Sequence, residues 1–80
     1  MDLSADLSAL SLQIGKNIKK FRLKLGITQG QACEKISCDK RFYQRVEAGK
    51  AGLTLRTLLR FSVGLGIPLQ ELIKIDEDVM

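Results

Sequence analysis

The sequence predicts an all-α domain of about five helices. Apolar residues recur every three or four positions along the 80 residues, which is the period of an amphipathic helix. No stretch alternates apolar with polar residues as a half-buried strand does. Residues that begin and end helices divide this pattern into segments. They are the candidate N-caps Thr28, Asp39 and Thr54 and the candidate C-terminal glycines Gly26, Gly49 and Gly66.

The first helix is predicted from about Leu12 to Leu25. The leucines of residues 1–11 continue its apolar stripe in phase, so this stretch could extend the helix, form a short helix of its own or pack as an arm on a neighbour. The serines of the same stretch weaken a continuous helix, and we expect a short helix or a mobile arm.

The centre of the chain predicts two short helices joined by a tight turn. Thr28 and Gln31 have the spacing of a capping box at the start of the first, and Ser37 and Cys38 form the turn. Asp39 caps the second helix, about residues 39–48. The polar side of that helix carries Lys40, Arg41, Gln44 and Arg45.

These polar residues have two interpretations, a solvated helix face or a surface that binds DNA. The net charge of +4 combines +7 over residues 16–50 with −3 over the flanking segments, and such a lopsided molecule suits a polyanion bound on one side. The major groove admits one helix, and guanine presents two acceptors there that suit Arg or Lys. The charge distribution therefore favours DNA.

Two further helices complete the predicted fold. Thr54 caps a fourth helix, on which a wide buried face is predicted from Leu55, Leu58, Leu59, Phe61 and Leu65. Pro68 opens a short fifth helix, because its missing amide would have no partner in a first helical turn. Residues 76–80 form an acidic tail.

The composition argues against an enzyme, a cofactor and a metal site. The chain has no histidine, no glycine-rich phosphate loop and no zinc spacing of cysteines. Cys33 and Cys38 are expected to be free thiols, with Cys33 in the core. The sequence has no run of 18 apolar residues and no signal sequence, so we expect a cytoplasmic protein that does not bind membranes.

Three segments in succession resemble the phage Cro and repressor (XRE-type) helix-turn-helix family: IGKNIKKFRLKLGITQGQACEKI, DKRFYQRVEAGK and TLRTLLRFSVGLGIPLQELI. The resemblance covers nearly all of residues 12–74 and implies a compact five-helix, lambda-repressor-like DNA-binding domain over residues 12–75. The size and helical plan are also similar to those of controller proteins of restriction-modification systems.

The resemblance implies roles for individual positions. Lys40, Arg41 and Arg45 match base-contacting positions with Gln44 beside them, Gln29 and Lys50 match phosphate-contacting positions, and Arg22 and Glu47 match a structural ion pair. Phe42 either packs against sugar and phosphate or lies on the domain surface, and Tyr43 belongs to the core. The expected partner is a two-fold-related operator in double-stranded DNA, bound by a homodimer with recognition helices in successive major grooves.

Two departures from the family pattern carry expectations of their own. Ser37 stands where glycine is usual, and a positive φ at that turn costs a serine on the order of 1 kcal/mol. Val63 stands where a polar residue is usual, which makes it, with the final helix, a candidate for a subunit interface. The same helical plan also serves antitoxins and adaptors, so a module that binds a protein partner is the alternative to a regulator.

Overall fold

The computed structural model describes residues 3–75 and confirms the all-α fold class. Its helices are α1 (Leu3–Leu25), α2 (Gln29–Ile36), α3 (Lys40–Glu47), α4 (Leu55–Leu65) and α5 (Leu69–Leu72). The described residues contain no strand. The predicted acidic tail lies outside them.

The first helix starts earlier than predicted. α1 is continuous from Leu3, so the expected start at about Leu12 is wrong. Its added turns keep the phase of the apolar stripe, and Leu7 and Leu10 line a depression together with Leu53. Serine disfavours a helix only weakly, and these turns extend a helix that the buried residues from Ile14 onward already hold in place.

The inner face of α3 packs into the hydrophobic core. Tyr43 and Val46 of α3 are buried together with Ile18 of α1 and Phe61 of α4. The Tyr43 and Phe61 rings stack with their centroids 5.7 Å apart. Because one side of this short amphipathic helix is fully used in packing, its other side is left to solvent.

N-terminal caps fix the starts of α2 and α3 as predicted. Thr28 Oγ1 accepts from the Gln31 amide at 3.1 Å, and the Gln31 side chain accepts from the Thr28 amide at 2.9 Å. The Asp39 side chain accepts from an amide in the first turn of α3. Each contact satisfies a backbone donor that the helix itself leaves without a partner.

The turn between α2 and α3 contains the predicted positive φ, which is 59° at Ser37. Cys33 and Cys38 flank it as free thiols, and Cys33 is buried. Arg60 of α4 donates from Nη2 to the carbonyl oxygens of Ile36 and Ser37, at 2.9 and 3.0 Å. These bonds satisfy acceptors at the end of α2 and help to hold the strained turn.

The wide buried face predicted for α4 is wrong in part. Phe61 and Leu65 are buried, but Leu55 is 84% exposed and Leu59 is 55% exposed. The apolar residues of α4 form two stripes, because Leu55, Leu59 and Val63 follow one another at intervals of four and lie to one side of the buried positions. The second stripe is left on the surface.

Candidate nucleic-acid interface

The outer face of α3 presents the side chains predicted to contact bases. All four are exposed: Lys40, Arg41, Gln44 and Arg45. They lie opposite the buried Tyr43 and Val46, so the helix offers three cations and one amide in the same direction. That pattern of donors is suited to acceptors at the edges of bases.

A fourth cation, Lys50, lies beside the end of this helix. Lys50 is exposed, and its backbone is tied to Arg45 twice. The Arg45 Nη2 atom donates to the Lys50 carbonyl oxygen at 3.0 Å, and the Lys50 amide donates to the Arg45 carbonyl oxygen at 2.9 Å. The loop after α3 therefore begins in a fixed position next to the basic face.

A buried carboxylate joins the helices that support α3. Glu47 accepts from Arg22 Nε at 2.6 Å and Arg22 Nη2 at 3.2 Å, from Tyr43 Oη at 2.6 Å and from Gln29 Nε2 at 3.0 Å. Arg22 also donates to the Ile27 carbonyl oxygen at 3.0 Å. These bonds connect α1, α2 and α3 and fix the orientation of α3 relative to the other two helices.

The electrostatics of this network favour its charged state. Burial by itself would raise the pKa of Glu47, but the hydrogen bonds from Arg22, Tyr43 and Gln29 more than offset it and hold the pKa below its ordinary value. The hydrogen bond to Glu47 raises the pKa of Arg22. Burial, and then the hydrogen bond to Glu47, raise the pKa of Tyr43. Arg22 and Glu47 are thus an ion pair with a neutral phenol beside it.

Gln29 lies between this network and the outer face of α3. It is the first residue of α2 and is half-buried. Its Nε2 donates to Glu47, and its Oε1 accepts from Gln44 Nε2 at 3.4 Å. Gln29, which is predicted to contact phosphate, is therefore in contact with Gln44, which is predicted to contact bases. Phe42, the third predicted phosphate-side residue, is half-buried and packs against the core.

Sequence patterns did not indicate the role of Asn17. Its Nδ2 donates to the carbonyl oxygens of Leu72 and Lys74, both at 2.8 Å, and its Oδ1 accepts from Gln13 Nε2 at 3.0 Å. Asn17 is 7% exposed. It fastens the end of α5 to α1. The one sequence signal for this role is that Asn17 is a polar residue at the edge of the apolar stripe of α1.

Within residues 3–75, no helix is long and apolar enough to cross a bilayer. No group of three or more His, Cys, Asp or Glu side chains in that part of the chain is placed to hold a metal ion.

The fold and the exposed basic helix are those of a helix-turn-helix protein. Residues 18–72 match the helix-turn-helix family, and the chain belongs to this family of DNA-binding transcription regulators. Control protein C.MunI from a Mycoplasma species is 34% identical over 64 residues, which span 79% of this chain and 86% of that protein.

Solved structures show the same plan. The restriction-modification controller protein C.AhdI of Aeromonas hydrophila superposes with a TM-score of 0.73 at 25% identity, over 85% of this chain and 97% of that one. A hypothetical transcription factor NHTF from Neisseria superposes with a TM-score of 0.80 over 86% of this chain and 79% of that one. At 19% identity, the second likeness concerns the fold alone.

Proposed function

We propose that this protein regulates transcription by inserting α3 into the major groove of a specific operator. The observation that carries the proposal is the exposed face of α3, which the Arg22–Glu47 network holds at a fixed angle. Its four polar side chains contact base edges: Lys40, Arg41, Gln44 and Arg45. Gln29 and Lys50 bind phosphates, and the exposed part of Phe42 packs against the sugar-phosphate backbone. The protein performs this role in the cytoplasm without catalysis or a cofactor.

The regulator acts as a homodimer. Leu55, Leu59 and Leu69 line an apolar groove of about 290 Å³ between α4 and α5, and Val63 nearby is 74% exposed. Such a patch on a small domain is suited to a second copy of the same surface. In this dimer the two α3 helices lie in successive major grooves, and the operator half-sites that they contact are roughly 34 Å apart.

The regulated genes are those of a restriction-modification system. The support is the similarity over most of the chain to the restriction-modification controller protein C.AhdI and to Control protein C.MunI. Occupancy of the operator follows from protein concentration, through dimerisation and cooperative binding.

Selection of bound fragments from the source genome, followed by footprinting, tests this function. We expect a two-fold-related site with protected half-sites one helical turn apart, upstream of restriction-modification genes. Co-purification with a protein partner, without enrichment of any DNA fragment, would instead establish the antitoxin or adaptor alternative. Enrichment of unrelated promoters would retain the regulator and reject the controller assignment.

A further inference from the structure

Basic residues of the described chain also cover the outer side of α1. Lys16, Lys19, Lys20 and Lys24 surround the exposed Leu23. No acidic residue occurs between Asp6 and Glu34 to neutralise them, and like charges at intervals of three or four residues destabilise a helix. A surface that is uncompensated in this way attracts a polyanion.

Two of these lysines lie on the edge of α1 nearest α3. A Cβ built on Gly15 would lie 2.6 Å from carbonyl oxygens in the last turn of α3, and one on Gly49 would lie 2.6 Å from Leu12 Cδ2. Lys16 follows Leu12 by one helical turn, and Lys19 follows Gly15 by one turn. Both therefore lie on the edge of α1 that packs against the end of α3.

The other two lysines lie toward α5. Asn17 marks the α5 side of α1, because it donates to the carbonyl oxygens of Leu72 and Lys74. Lys20 and Lys24 follow Asn17 by three and seven residues and share that side. Lys24 Nζ also lies over the Phe21 ring, 5.2 Å from its centroid.

We propose that Lys16 and Lys19 bind phosphates of the duplex beside the base pairs that α3 reads. This inference rests on the proposed function. The DNA-contacting surface then continues from Lys50 onto α1, because Leu12 of α1 packs against Gly49 beside Lys50. Ammonium groups on flexible stems suit phosphodiester anions and carry no sequence preference. Lys20 and Lys24 lie further round α1, toward α5, and make no such contact.

Two matched double variants test the inference: Lys16→Gln/Lys19→Gln and Lys20→Gln/Lys24→Gln. Each removes two positive charges from an exposed face of the same helix, so both should fold, which circular dichroism verifies. Affinity for the selected operator and for a random duplex of equal length is measured from 50 to 300 mM NaCl.

For the Lys16/Lys19 variant, we expect at least about tenfold weaker binding to both duplexes at low salt. The slope of log affinity against log salt should become shallower by up to about 3.6 for a dimer, since each lost phosphate contact removes about 0.9. The Lys20/Lys24 variant should keep nearly the wild-type slope.

Equal effects of the two variants would show a general charge effect, and unchanged slopes would show that α1 does not touch the duplex. Either result overturns the inference while wild-type operator binding still supports the proposed function. Failure of the wild-type protein to bind any duplex overturns both.

Discussion

At the scale of single residues, reading of bases by α3 can be separated from attraction to phosphate. Arg41→Ala and Arg45→Ala should each weaken binding to the selected operator by about 1–3 kcal/mol and affect random DNA much less, because a guanidinium bound to a base edge contributes to one sequence only. Fluorescence anisotropy on both duplexes measures the difference. Arg56→Ala removes an exposed arginine of α4 and is the control for net charge. Equal losses on both duplexes would exclude base contact by Arg41, and for Arg45 they would mean that the side chain acts mainly by holding the Lys50 carbonyl oxygen.

The buried carboxylate should make folding stability depend on pH. The pKa of Glu47 is lowered in the folded protein from its ordinary value of 4.5, so the unfolded chain binds more protons in the range between the folded and ordinary pKa values. The contribution is complete above the ordinary value and is lost as the pH falls through the folded pKa. Urea unfolding from pH 7 to 3 should therefore show a steeper acid loss in the wild type than in Glu47→Gln. Parallel curves would contradict this assignment.

Strain at the turn should be relieved by one substitution. Ser37 has a φ of 59°, where a Cβ is unfavourable, so Ser37→Gly should stabilise the protein by about 1 kcal/mol. For a domain of this size that corresponds to a rise in Tm of about 4–8 °C. Ser37→Ala, which keeps the Cβ, should show no such rise. An unchanged Tm in Ser37→Gly would show that the positive φ carries no such cost, since the Arg60 bonds go to backbone carbonyl oxygens that the variant keeps.

At the scale of the elements, the contact between α1 and α3 requires the absence of a side chain. In Gly15→Ala the new Cβ would lie 2.6 Å from the carbonyl oxygens of Val46 and Glu47, and backbone atoms cannot rotate away. We expect a loss of about 1–3 kcal/mol in urea unfolding and, because α3 must shift, weaker DNA binding. Gly30→Ala is the control, since its nearest contact is Thr28 Oγ1 at 3.8 Å. Similar losses in both variants would reject this mechanism.

The elements that sequence predicted well are those set by local chemistry. Thr28, Asp39 and Thr54 each cap a helix through a hydrogen bond within three residues, so the starts of α2, α3 and α4 were accessible from the sequence. The start of α1 and the exposed side of α4 were missed. Periodicity identifies which residues share a face, but contacts with other elements decide which face is covered.

At the scale of the whole molecule, contacts between distant residues of the site were likewise not predictable from sequence patterns. The row of donors on α3 was visible from their spacing, and the resemblance to a family implied the pairing of Arg22 with Glu47. The bonds of Gln29 to both Glu47 and Gln44, and the attachment of α5 by Asn17, join residues that are 15 to 57 positions apart in sequence. Only the folded chain brings such partners together, and no local pattern encodes them.

Assembly is a property of the whole molecule, and the apolar groove between α4 and α5 makes it testable. Leu59→Glu would place a carboxylate in the proposed interface twice, once from each subunit, and desolvating both charges should reduce dimerisation at least about a hundredfold. Sedimentation equilibrium measures this loss, and operator affinity should fall with it while thermal stability of the monomer stays nearly unchanged, because Leu59 is 55% exposed. Leu23→Glu is matched in exposure, at 59%, but lies on α1. A dimer that survives Leu59→Glu, or that is lost equally in Leu23→Glu, would mean that the subunits associate through another surface.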